Sequence, residues 1–187
     1  MKTFYISLII MLLFTTVFSQ EVKNEVEKRI EKQEMPSKAL ELLESMPVNM
    51  KKAKFYNEKD NEHSSYEAKV KYKNRKYSIE FDNSGALHDI EVLLDFDKLP
   101  KNTAKTIKNY LKTTYERHKI EKTQQQYSPA NFKNAFEKDI GPDKYELIVA
   151  TKNKENELEK REILFDSNGK ELSTRKVIRN SYDFLLF

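Results

Sequence analysis

The chain has 187 residues, with 34 basic and 30 acidic side chains, a formal net charge of +4 and no cysteine. Disulfides and thiolate metal sites are therefore excluded, and the near balance of charge argues against a dedicated nucleic-acid binder. Three glycines in the whole chain leave no room for glycine-rich phosphate loops.

Residues 1–19 (MKTFYISLIIMLLFTTVFS) read as a signal peptide. Lys2 is followed by an apolar run from Ile6 to Phe14, and Val17 and Ser19 precede a cut before Gln20. The run falls short of the roughly 20 apolar residues that span a bilayer. No second long apolar run follows, so no membrane span is expected after cleavage.

Residues 21–34 (EVKNEVEKRIEKQE) read as a charged helical lead. Pro36 then opens a helix with Ala39, Leu40, Leu43 and Met46 on one face, ended by Pro47. Strands follow: a weak one in KAKFY (52–56), then YEAKVKY with Tyr66, Ala68, Val70 and Tyr72 on one face, then KYSIEF with Tyr77, Ile79 and Phe81 alternating. FDNSG (81–85) is a hairpin tip, because Asp82, Asn83, Ser84 and Gly85 tolerate a left-handed backbone. Beyond it, Ile90, Val92 and Leu94 resume a strand.

The same order of parts recurs. Leu99 and Pro100 open a second helix with Ala104, Ile107, Leu111 and Tyr115 as its stripe. HKIEKTQ (118–124) and YELIVAT, starting at Tyr145, read as strands, and FDSNG (165–169) repeats the hairpin tip. The second copy carries extra residues. Ser128, Pro129 and the Gly141-Pro142 stop frame an amphipathic helix near 129–140, of about three turns, with Phe132, Phe136 and Ile140 on one face. The fold class read from this pattern is α+β. Two tandem repeats, 20–97 and 98–187, each pack a helix on an antiparallel meander of three to four strands.

A signal peptide followed by paired helix-and-strand units, the Leu99-Pro100 opening, the Tyr66-Glu67 and Tyr145-Glu146 strand starts and the two FDxxG hairpins resembles the PepSY-like, β-lactamase-inhibitor-protein-like family of exported bacterial proteins. The resemblance spans roughly 30–180. It implies a periplasmic or secreted protein that binds, and in some relatives inhibits, another protein. It carries over no inhibitory residue, and the insertion near 124–144 departs from its pattern.

The residues themselves point away from catalysis. No GxSxG is present, and the acidic residues fall in no pattern that singles out a pair. His63, His88 and His118 lack metal-ligand spacing, and the DNSG and DSNG turns are flanked by strands rather than EF-hand helices. No enzyme activity, cofactor or metal is therefore expected. The candidate partner surface comprises Phe55 and Tyr56, adjacent residues that face opposite ways on a strand; Lys69, Lys71 and Lys73 on one strand face; and Phe132 and Phe136 of the insertion. Asp82, Gly85, Asp166 and Gly169 are structural turn residues. The expected function is protein binding in the envelope or outside the cell, as a possible inhibitor or regulator. The alternative is an anionic envelope polymer or small ligand held by the basic sheet face.

Overall fold

The computed structural model describes residues 22–137, 140–152 and 156–178; the signal-peptide segment and 181–187 lie outside the described residues. The chain order is β1 (Val22–Lys23), β2 (Glu25–Ile30), α1 (Ser37–Ser45), β3 (Lys54–Asp60), β4 (His63–Tyr72), β5 (Arg75–Phe81), β6 (Leu87–Leu93), α2 (Lys101–Thr114), β7 (Arg117–Tyr127), β8 (Lys144–Lys152), β9 (Leu158–Asp166) and β10 (Glu171–Val177).

The expectation of two helix-on-meander repeats is corrected by the pairing. All ten strands form one sheet in the order β1-β10-β9-β8-β7-β6-β5-β4-β3-β2, curled until it is nearly closed. The joint is β6 with β7, where Ile90 pairs Tyr127 and Leu93 pairs Gln124 across the expected boundary. Two separate meanders would each leave unpaired backbone groups at an open edge, and joining them satisfies those groups.

The helical lead is corrected as well: residues 22–30 are strand. In EVEKRI the inner-facing Glu25, Glu27 and Arg29 alternate with Val26, Lys28 and Ile30, which is the period of a strand. β2 pairs antiparallel with β3, and β1 pairs parallel with β10, so this short segment bridges both free edges. Side-chain bonds fasten the seam. Asn24 N–H donates to Asp60 Oδ1 at 2.9 Å, Asn61 Nδ2 donates to Val22 O at 2.8 Å, and Arg175 Nη1 reaches Asp60 Oδ2 at 3.1 Å.

Both helices lie on the convex face. Ala39 and Leu43 of α1 join Phe55, Ala68, Val70, Tyr77, Ile79, Phe81, Ile90 and Val92 in one apolar cluster, and Ile107 and Leu111 of α2 join Tyr145, Leu147, Val149, Ile163 and Phe165 in another. Each FDxxG tip is wedged against the first turn of a helix. A Cβ on Gly85 (φ +77°) would lie 2.8 Å from Pro36 Cβ, and one on Gly169 (φ +86°) would lie 2.8 Å from Thr103 O. Asp82 Oδ1 accepts from the N–H groups of Ser84 and Ala86, and Asp166 Oδ1 from those of Asn168 and Lys170.

The insertion holds a short 3-10 helix, Phe132–Phe136, in place of three α-helical turns. Asparagine at 131 and 134 lowers the local helix propensity, and Asn131 Nδ2 donates to Asp143 Oδ1 at 2.6 Å. Packing captures the segment instead. Phe136 stacks on Tyr77 at 5.2 Å between ring centroids and meets Tyr72 edge-on at 6.1 Å, and Ala135 O accepts from Tyr77 OH at 3.2 Å. It therefore docks on the cluster of α1 rather than on the sheet of the second half.

Candidate functional site

Cross-strand partners point the same way, and following the register round the sheet identifies its inner face. Glu27 pairs Glu58, Glu67 pairs Glu80, Glu80 pairs Asp89, Gln124 pairs Glu146, and Glu162 pairs Arg175. Side chains from all ten strands line one cavity of about 110 Å³, among them eight glutamates and three lysines (Lys23, Lys69 and Lys122). Most apolar residues of β3–β9 are taken by the convex side, so the inside of this near-barrel is mainly ionic, with Ile148 and Val177 among its apolar members.

Burial makes that interior expensive for charge. It raises the carboxyls of Glu80 and Glu146, with the neighbouring Asp89 acting on the first and Glu91 on the second. Burial, then the charge of Glu80, pushes Glu91 up to about 8. Glu58, buried and hydrogen-bonded to Glu67, is also raised, while Glu67 is lowered by that bond and by Lys69, so one proton resides on Glu58. For Lys23 and Lys69 burial works against the charge, but adjacent glutamates more than offset it and both stay protonated. Lys23 Nζ lies 2.8 Å from Glu162, and Lys69 Nζ lies 2.7 Å from Glu27 and 2.9 Å from Glu67.

At the end where β3 begins and β4 finishes, the lining changes sign. A pocket of about 340 Å³ is bordered by Lys52, Lys54, Lys69, Lys71, Lys76 and Lys122, with Leu93, Ser78 and Gln124 beside them and no carboxylate. Lys54, Lys71, Lys76 and Lys122 are exposed, and among the described residues none of them makes an ion pair. Two of the cross-strand pairs here are lysine against lysine: Lys54 with Lys69 and Lys71 with Lys76. Like charges placed directly opposite are destabilising, by roughly 0.2–1 kcal/mol a pair. Leu93, 39% exposed, supplies an apolar contact.

The residues singled out from the sequence divide between the faces. Tyr56 lies on the inner face with Lys69 Nζ 4.6 Å above its ring, and Lys71 lines the basic pocket. Lys73 sits in the β4–β5 turn at φ +46°, its amine 5.0 Å from the Tyr72 ring. Phe55 is buried in the convex cluster, and Phe132 and Phe136 pack against the same cluster. Sequence reasoning left Leu93 and Lys122 out of the site. Lys122 and Leu93 lie on strands that only the β6–β7 joint brings together, so no local pattern signals them.

No family model matches the chain, and no curated protein matches it. Solved structures do. A DUF2874 family protein from Bacteroides ovatus superposes with a TM-score of 0.53 at 14% identity, over 81% of this chain and 94% of the other. A protein from Bacteroides eggerthii provisionally described as periplasmic gives 0.52 at 16% identity, over the same shares. A BLIP-like protein from Bacteroides fragilis gives 0.48 at 16% identity, over 79% of this chain and 90% of the other. The first two establish a shared fold. Among the described residues, no helix is long and apolar enough to cross a membrane.

Proposed function

We propose that this chain is an exported, non-enzymatic binding module, periplasmic or secreted, that takes an acidic protein segment at the lysine-ringed end of its sheet. In that role it regulates or inhibits the protein that carries the segment. The observation that carries the reading is the gathering of Lys54, Lys71, Lys76 and Lys122, none in an ion pair among the described residues and Lys71 directly opposite Lys76, around a pocket without carboxylates. A folded chain gains nothing from those repulsions, whereas an anionic partner turns them into attraction. Leu93 adds an apolar contact that favours a peptide with mixed acidic and apolar side chains over a uniformly charged polymer. The signal-like segment at 1–19 and the fold shared with the Bacteroides eggerthii protein support the location.

The test is anisotropy of a labelled acidic peptide containing leucine, titrated with the mature protein at low and moderate salt. Saturable, salt-sensitive binding that Lys71→Glu with Lys76→Glu reduces at least tenfold supports the reading. Binding that the double change leaves intact refutes the site. Retention of a uronic-acid polymer in preference to the peptide transfers the reading to an envelope polymer.

A further inference from the structure

The opposite end of the inner face holds a different group of side chains. Glu80 is the last residue but one of β5 and Asp89 the third of β6, and the two are cross-strand partners on the inner face. The next pair is Phe81 with Leu87, so β6 carries one extra residue, His88, between its partners. A β-bulge of this kind turns the extra side chain out of strict alternation. Here it brings the imidazole towards the same carboxylates: His88 Nδ1 lies 3.3 Å from Asp89 Oδ2 and 3.8 Å from Glu80 Oε2. One ligand atom from each of the three residues lies within 4.8 Å of the others.

These distances suit a small divalent ion. A tetrahedral ion with bonds of about 2.0–2.1 Å holds its ligand atoms about 3.3 Å apart. The Asp89 carboxylate is preset for the role. Its side chain is only 8% exposed, Oδ2 accepts from Gln126 Nε2 at 2.8 Å, and Oδ1 has no hydrogen-bond partner among the described residues. A buried carboxylate oxygen without a donor is costly, and a cation removes that cost. His88 is 69% exposed, which leaves a path from solvent. The bulge by itself does not demand such residues. The β9–β10 hairpin bulges at the matching place, between Glu171 and Ser173, and there Leu164, Leu172 and Ser173 occupy the three positions. Of these two hairpin bulges, only the β5–β6 one carries the three ligand-type side chains together.

We propose that the β5–β6 bulge builds a site for a divalent transition-metal ion of the zinc type, with His88 Nδ1 and carboxylate oxygens of Glu80 and Asp89 as ligands and water completing the shell. Mixed imidazole and carboxylate donors suit zinc better than calcium, which takes oxygen alone. Lys144 and Asp82 are the other charges near the imidazole, and they offset one another. The site is at the far end of the inner face from the lysines and does not depend on the acidic-partner reading.

Zinc ion alone is the probe, titrated into the mature protein in competition with a chelating indicator. The expected result is one ion per chain, a His88→Ala variant weaker by at least tenfold, and His63→Ala unchanged. In NMR spectra zinc should shift the His88 imidazole signals and leave those of His63 and His118 in place. The His88 change is made on an exposed side chain, and a melting curve matching the parent confirms that the variant folds. Glu80→Gln provides a second variant, with the same loss expected. Absence of saturable binding overturns the proposal, as does binding that His88→Ala leaves intact. Calcium binding equal to that of zinc and indifferent to His88 also overturns it, because it reports the acidic interior instead.

Discussion

Replacing Glu91 by glutamine should make the protein more stable, and increasingly so as pH rises. Glu91 is buried on the inner face, accepts from Gln124 Nε2 at 2.5 Å, and has a carboxyl pushed up to about 8 from the ordinary 4.5. Below pH 4.5 the side chain is protonated both folded and unfolded and contributes no pH-dependent difference. Between pH 4.5 and 8 the unfolded chain releases the proton while the folded chain keeps it, so folding stability falls by about 1.4 kcal/mol per pH unit. The loss is about 3 kcal/mol at pH 7 and levels off above pH 8, at a total of about 5 kcal/mol. Glutamine keeps an acceptor for Gln124 and has no proton to lose. Urea unfolding of both proteins at several pH values between 4 and 9 measures the difference, provided each transition is two-state. Equal stability near pH 4.5 and a gap widening towards pH 8 is the expected outcome. Parallel pH profiles for the two proteins would refute the reasoning, and so would a variant less stable than its parent at pH 8.

Gly85→Ala should lose roughly 2–4 kcal/mol, combining a left-handed backbone with the contact on Pro36, read as a lower thermal midpoint. Phe136→Ala should cost about 1–3 kcal/mol through the lost stack on Tyr77, and an unchanged urea midpoint would show that the insertion does not hold the convex cluster. Lys76→Glu sets an opposite charge against Lys71 and should raise stability by up to about 1 kcal/mol at low salt while weakening the acidic peptide. If it lowers stability, the lysine pairs are not a strain on the fold.

Most single elements were legible in the sequence. Alternation placed β4, β5 and β8, and the proline-opened stripes placed α1 and α2, because these signals are written in neighbouring residues. The hairpin turns were legible for the same reason: an acceptor on Asp82 or Asp166 and a glycine three residues on are a local chemistry. Residues 22–30 misled because their charge spacing also suits an exposed helix. What makes them strand is the pair of open edges on β3 and β10, far away in the chain. Likewise, the weak local propensity of 129–140 yielded to docking on Tyr72 and Tyr77.

The candidate sites were legible only in fragments. Lys69 and Lys71 share a strand face, and that much is local periodicity. Their grouping with Lys122 and Leu93 depends on β7 pairing with β6, and the approach of His88 to Glu80 depends on one extra residue in a register that nothing nearby announces. By itself the sequence determined the central strands, the two α-helices, the FDxxG turns and which residues alternate, since backbone preference and side-chain period act over a few residues. Only the tertiary structure decided that the strands form one nearly closed sheet and which of its faces is the inside. Those choices depend on hydrogen-bonding edges and burial between segments a hundred residues or more apart, as between Asp60 and Arg175.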